Sequence, residues 1–324
     1  MQRRDFMAAG AAAALPLLPG AARAQDGLPK GPIRIIVGFP PGGGTDVVSR
    51  VIAQKLGVMW GVPVLVENKA GAAGVLAAEY VAKQPNDGMT LLMTNISNHA
   101  IAPSLYPSLG YVVERDFTPI MLVGATPNLL ICNTQQPART LKDLVALCKQ
   151  KPGEITFGSA GAGSAQHLAL ELFKLRAGVD ALHVPYKGSA PMLTDLIGGQ
   201  INYSFETMTS AAPHIASGKL LALAQTRGVR AHAYPQIATV AELGYPGYDA
   251  GTWYGMAGPG RMAPALVQRM NTDLNKVLLM PDVAEKLASY GAEDGGGSAD
   301  KFVSFIATEK AKWAKVVHDA KVTV

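Results

Sequence analysis

One pattern, used twice, governs what this chain can fold into: a short apolar run, a glycine-rich loop, then residues at helical spacing. Ile33-Arg34-Ile35-Ile36-Val37 leads into Phe39-Pro40-Pro41-Gly42-Gly43-Gly44-Thr45-Asp46, and helical spacing follows over about 46–56. Ile155-Thr156-Phe157 leads into Gly158-Ser159-Ala160-Gly161-Ala162-Gly163-Ser164-Ala165-Gln166-His167, with a helix predicted over 164–176. Further short strands are predicted at 64–66, 91–93, 129–131, 182–184, 201–205 and 220–224, and helices at 75–83, 140–150 and 190–197. Strands alternating with helices define an α/β protein with mostly parallel sheet. Two series, each opened by a strand and a glycine loop, predict two lobes. The closing helices, about 264–279, 282–289 and 298–318, carry too few strands for a third domain. No 20–50-residue repeat marks a solenoid.

Charged residues make up only 16% of the chain, which excludes a disordered tail or a coiled coil. The uncharged stretches 88–113 and 117–138 exceed spanning length, but Pro103, Pro107, Pro119, Pro127 and several amides suit buried strands with turns better than a lipid-facing helix. The first 24 residues read as an address. Arg3-Arg4 precede an uncharged Ala/Leu run broken by Pro16, Pro19 and Gly20, too short to span, and Ala22-Arg23-Ala24 is a cleavage signal. Arg3-Arg4-Asp5-Phe6-Met7 is similar to the twin-arginine export motif. Cleavage after Ala24 would leave a soluble periplasmic chain, since Gln25 rather than a lipid-bearing Cys follows. It would also remove three positive and one negative charge from a formal net of +5, so the basic balance does not argue for nucleic acid. Cys132 and Cys148 could bridge in an oxidising compartment, but buried free thiols are the expectation.

Both glycine loops lie between a strand and a helix start, where free N–H groups and the helix dipole attract an anion. The first lacks the Lys of a phosphate loop and the spacing of a dinucleotide loop, so nucleotides are disfavoured and a carboxylate remains. Thr45 is the expected N-cap, and Asp46 supports the first turn. In the second, Ser159 and Ser164 add hydroxyls. The turn His183-Val184-Pro185-Tyr186-Lys187-Gly188-Ser189 offers the Gly188 and Ser189 N–H groups, with Lys187 expected in solvent. Asn95, Ser97 and Asn98 follow the third strand, and Phe205-Glu206-Thr207 holds the equivalent place in the second series, both at strand C-terminal ends where α/β sheets bind ligands. The rival reading is an exported serine hydrolase using Ser159 or Ser164 with His167; neither serine fits G-x-S-x-G, and the histidines show no metal-ligand spacing.

The runs 36–46, Val66-Glu67-Asn68-Lys69-Ala70-Gly71-Ala72-Ala73-Gly74, 157–168, 183–205 (with V-P-Y-K-G and D-L-I-G-G-Q) and Trp253-Tyr254-Gly255 together resemble the Bug-type extracytoplasmic solute receptors of tripartite tricarboxylate transporters. The resemblance implies a two-lobed, type II-like periplasmic binding protein with a double crossover: lobe 1 over 25–127 plus 253–324, lobe 2 over 128–252. It implies a small carboxylate ligand (di- or tricarboxylate, acidic amino acid or aromatic acid), permease subunits as partners, no catalysis, no cofactor and a monomer; a sensor handing its signal to a membrane protein is the other use of such lobes. Ligand contacts are then expected from Phe39, Pro40, Gly42, Gly43, Gly44, Thr45, Asp46, Asn98, Ser159, Ala160, Gly161, Ser164, Gln166, Gly188 and Thr207. The chain departs from the family at Lys69-Ala70 (often Arg-Pro), Val75 (often Asn) and Glu206 (often Asp), which bears on which acid is bound.

Overall fold

The computed structural model describes residues 27–324; the expected leader and its cleavage site fall outside them. Two five-stranded sheets organise the chain. The strands are β1 (Ile33–Val37), β2 (Val64–Asn68), β3 (Thr90–Asn95), β4 (Phe117–Thr126), β5 (Asn128–Asn133), β6 (Thr156–Ser159), β7 (Leu182–Pro185), β8 (Tyr203–Thr207), β9 (Leu220–Gln225) and β10 (Thr252–Pro259). The helices are α1 (Gly44–Trp60), α2 (Val75–Ala82), the short α3 (Ala102–Leu105) and α4 (Val113–Asp116), α5 (Leu141–Gln150), α6 (Ala165–Ala177), α7 (Ser189–Ile197), α8 (Met208–Ala216), α9 (Pro264–Leu278), α10 (Pro281–Ser289) and α11 (Ala299–Asp319).

The first sheet has the order β2-β1-β3-β10-β4 and the second β7-β6-β8-β5-β9. In each, four strands run one way and one runs against them: β10 is antiparallel to β3 and β4, and β5 is antiparallel to β8 and β9. Each reversed strand is the one that has just entered from the other sheet. The crossings lie side by side. Thr126 pairs with Thr252, the Asn128 N–H donates to Thr226 Oγ1 at 2.9 Å, and Asn128 Nδ2 donates to the Ala250 carbonyl at 3.0 Å.

Strand periodicity explains why both faces of each sheet are covered. In β1, Ile33, Ile35 and Val37 pack with Val48, Ile52 and Leu56 of α1 and with Met270 and Leu274 of α9, while Ile36 faces Leu92, Ala77 and Val81 on the other side. In β5, Leu129 and Ile131 meet Met192 and Leu196 of α7, and Leu130 and Cys132 face Leu144, Phe157 and Leu168. Each such side chain contributes roughly 1.5–3 kcal/mol by leaving water. Cys132 and Cys148 are free and buried, their thiols pushed up to about 11 by burial.

Two segments depart from expectation. Residues within the uncharged stretch 88–113 form β3 and then a helical turn through α3, rather than strands throughout. Residues 252–259 form a central strand, where the glycines Gly255 and Gly258 had masked any strand pattern. Gly255 is required there because the Phe302 ring of α11 occupies the place of a Cβ.

Candidate functional site

Four helices begin around one small chamber. Its walls include Gly43, Gly44 and Thr45 at the start of α1, Ala165 and Gln166 at the start of α6, Ser189 at the start of α7, and Thr207, the N-cap of α8. Phe39, Pro40, Asn95, Ser97, Ala160, Thr252 and Tyr254 complete the lining. No ionised side chain is among these residues. The four helix starts bring partial positive charge and unpaired N–H groups to one point instead. The free space for water-sized spheres is about 20 Å³, room for roughly one water. A wider vestibule of about 500 Å³ adjoins it, sharing Phe39, Pro40 and Ala160 as walls.

The first glycine loop supplies its anion cradle through backbone alone. Helix α1 is capped by Gly43 with no side-chain bond, which corrects the expectation that Thr45 is the cap. Thr45 lies inside the first turn, buried, with its hydroxyl accepting from Asn95 Nδ2 at 3.2 Å. Gly44 must be glycine: a Cβ there would lie 3.0 Å from Thr207 Oγ1 across the cleft and fall onto the Tyr254 hydroxyl. Asp46 points away from the chamber and fixes the loop from behind. Its carboxylate accepts from the Gly42 N–H at 3.0 Å, Asn68 Nδ2 at 2.8 Å and Arg50 at 2.8 Å. Burial alone would raise its pKa, but Arg50, the Gly42 N–H and Asn68 together hold it below the usual carboxylate range. Gly42, at φ 85°, turns the chain outside the chamber.

The second loop is used differently. The Ser159 hydroxyl shares a 2.7 Å hydrogen bond with His183 Nε2 and accepts from the Gly161 N–H at 3.1 Å. Ser164 caps α6, its hydroxyl accepting from the His167 N–H at 3.3 Å. Neither side chain lines the chamber; Ala160 lines it, and Ala160 and Gly161 line the vestibule. The His167 ring accepts from the Gly163 N–H at 3.1 Å and stacks on His183 at 3.9 Å. It therefore faces a backbone amide and another imidazole, not a serine hydroxyl, and the hydrolase arrangement of Ser159 or Ser164 with His167 is not formed. Burial lowers His167 to about 3 and His183 to about 4, so both rings are neutral. Among the described residues no group of three His, Cys, Asp or Glu is placed to hold a metal ion.

Asn98 is turned into the fold, accepting from Thr94 Oγ1 at 2.7 Å and the Asn95 N–H at 3.1 Å, while its neighbours Asn95 and Ser97 reach the chamber. Gly188, at φ 113°, lets the β7–α7 turn press on Pro40 of the opposite lobe; a Cβ there would lie 2.8 Å from the proline ring. Glu206, fully buried, sits behind the chamber wall, its Oε1 accepting from the Thr207 N–H at 2.7 Å and Gln166 Nε2 at 3.2 Å. Burial raises its pKa, while Ser189, Thr207 and Gln166 oppose that rise. Thr252 and Tyr254 lie on β10, which shows no strand pattern in the sequence, and their distance along the chain from both glycine loops leaves no local signal.

Two α/β lobes joined by paired crossings, with a polar chamber between them built from helix N-termini, define a two-lobed periplasmic binding protein. The sequence over residues 48–322 matches TctC, the tripartite tricarboxylate transporter family receptor, and the chain belongs to that family. It is 40% identical over 295 residues to protein BugT of Bordetella pertussis, covering 91% of this chain and 90% of that one. Its fold is similar to R. palustris Rpa4515 with adipate (TM-score 0.88, 34% identity, 91% of this chain and 99% of the other). It is also similar to MatC from Rhodopseudomonas palustris with bound malate (TM-score 0.85, 30% identity, 90% and 100%).

Proposed function

We propose that this protein is an exported receptor that captures a small carboxylate between its lobes for uptake by the permease subunits of a tripartite tricarboxylate-type transporter. The observation that carries this reading is the convergence of four helix starts on a chamber lined by no ionised side chain. Such a site favours one negative charge through fixed dipoles and N–H groups, with no flexible cation to order. The similar structures with adipate and malate support a carboxylate.

In this reading the Gly43, Gly44 and Thr45 backbone holds the carboxylate from lobe 1. Ala160, Gln166, Ser189 and Thr207 close on it from lobe 2, while Ser159, Ser164, Asp46 and Asn98 shape the loops. Lobe 1 comprises 25–127 with 253–324 and lobe 2 comprises 128–252; they close about the paired crossings at Pro127 and Gly251, a hinge motion. The leader, residues 1–24, is removed after Ala24 and the mature chain works as a periplasmic monomer.

Binding at micromolar affinity or tighter, about −8 kcal/mol, is expected. A thermal-shift panel of carboxylates tests it: at 100 times Kd, a ligand stabilises by about 2.7 kcal/mol, a rise of roughly 4 °C for a chain of this size. A broad panel in which no carboxylate raises the melting temperature would overturn the proposal.

A further inference from the structure

With room for roughly one water, the chamber can take at most the tip of one acid group, so the rest of any bound acid must lie in the vestibule, and the vestibule's chemistry is unlike the chamber's. Its walls include Phe39, Tyr106 and Tyr186 and the small residues Ala72, Ala73 and Ala162. The Tyr186 hydroxyl is engaged elsewhere, donating to Asp195 Oδ2 at 2.7 Å, which leaves its ring as the contact surface. The only ionised side chain among the lining residues is Lys187, which is exposed at the rim, where solvent and salt screen it. A second carboxylate placed in this space would meet no buried cation, and the polar side-chain groups left to it are the Tyr106 hydroxyl and Lys187 at the rim. A ring needs no such partner, and about 500 Å³ is ample for one.

The alanines that make this room are held under strain. Gly71, Ala72, Ala73 and Gly74 run at φ 148°, 46°, 50° and 91°, and two of the four carry a Cβ that disfavours that region. Strain of this kind persists where the surrounding fold enforces it, and it gathers at ligand walls. Here it sets the wall of small side chains opposite the second glycine loop.

We propose that the vestibule is the second half of the ligand site and that the solute is an arylalkyl carboxylate, its acid group in the chamber and its ring against Phe39, Tyr106 and Tyr186. This rests on the carboxylate reading above and narrows it.

Isothermal titration calorimetry of the mature chain with succinate, adipate, phenylacetate and 3-phenylpropionate tests the assignment. The phenyl acids are expected to bind about tenfold or more tightly than either diacid, with a more negative heat-capacity change from ring burial. Ala162→Phe, which fills the vestibule from a position outside the left-handed region, is expected to cut the phenylacetate-to-succinate affinity ratio by about tenfold. Succinate or adipate binding as tightly as the phenyl acids overturns the inference while leaving the carboxylate receptor intact. An unchanged ratio in a folded Ala162→Phe variant also overturns it. Should that variant fail to fold, the wild-type series decides alone. If none of the four acids binds, this inference falls, while the receptor reading is decided by the broad thermal-shift panel.

Discussion

Substituting Gly44→Ala asks whether closure of the lobes is what binding measures. A methyl group at this position lies 3.0 Å from Thr207 Oγ1 and 3.3 Å from Thr209 Cβ, and closer still to the Tyr254 hydroxyl. Tyr254, on β10 of the first sheet, lies in the same lobe as Gly44 at the start of α1, so that part of the clash persists whether the lobes are apart or together. Thr207 and Thr209 belong to the second lobe, so their share arises only on closure and is subtracted from the binding free energy. Overpacking of this kind costs about 1–3 kcal/mol, which weakens Kd by roughly 5- to 150-fold. Gly57→Ala in the same helix is the control. Its Cβ would meet only the Val62 carbonyl and Val64 at 3.5 Å and beyond, so the change is expected to stabilise α1 by roughly 0.5–1 kcal/mol and leave Kd alone. Calorimetric Kd values and ligand-free melting curves for both variants provide the measurement. A folded Gly44→Ala protein that binds within twofold of wild type would refute the argument that Gly44 is there for closure.

Acid should destabilise the protein through three buried rings, against one opposing contribution from Glu206, whose raised pKa lets the native state take up a single proton early. Burial holds His99 to about 3, and holds the stacked His167 and His183 to about 3 and 4, against roughly 6.5 in the unfolded chain. As pH falls from 6.5 to 4 the unfolded state takes up protons that the native state refuses, so stability falls, by up to about 1.4 kcal/mol per pH unit for each ring. Urea melts across that range should show the slope, and His183→Gln should reduce it; a flat profile would contradict the burial argument. Asp46→Asn removes the charge on which Arg50, Asn68 and the Gly42 N–H converge and turns amide hydrogens toward those donors. It is expected to cost about 2–3 kcal/mol in a urea melt and to weaken ligand binding by loosening the loop; unchanged stability would show that the contacts behind the loop are dispensable.

The glycine loops were legible because their work is local. A strand-to-helix turn with exposed N–H groups needs particular residues in a row, and the start of α5 at its Thr140 cap follows the same logic. What sequence spacing could not show was which groups a helix start already uses. Ser159 and Ser164 look like ligand donors, yet His183 and the α6 backbone claim them. Asn98 was preferred to Asn95 and Ser97, but a wide helical turn after β3 rotates it inward and presents the other two. Helix α8 went unread because Pro213 interrupts its pattern, and with it went the observation that Thr207 caps a fourth helix at the chamber. Strand β10 hid for a different reason: buried on both faces, it shows no alternation, and its glycines answer to Phe302 on α11 and to Met262 in the turn just beyond the strand.

The placement of β10 has a bearing on how the chain is made. It lies between β3 and β4, so until the ribosome has passed Pro259 the first sheet is a three-stranded fragment with β4 detached from it. The second sheet needs nothing later than Gln225 for its strands. Vectorial synthesis therefore gives the later-encoded half the earlier chance to mature, and truncations that stop short of that central strand should yield a competent second half tethered to an unfinished first one.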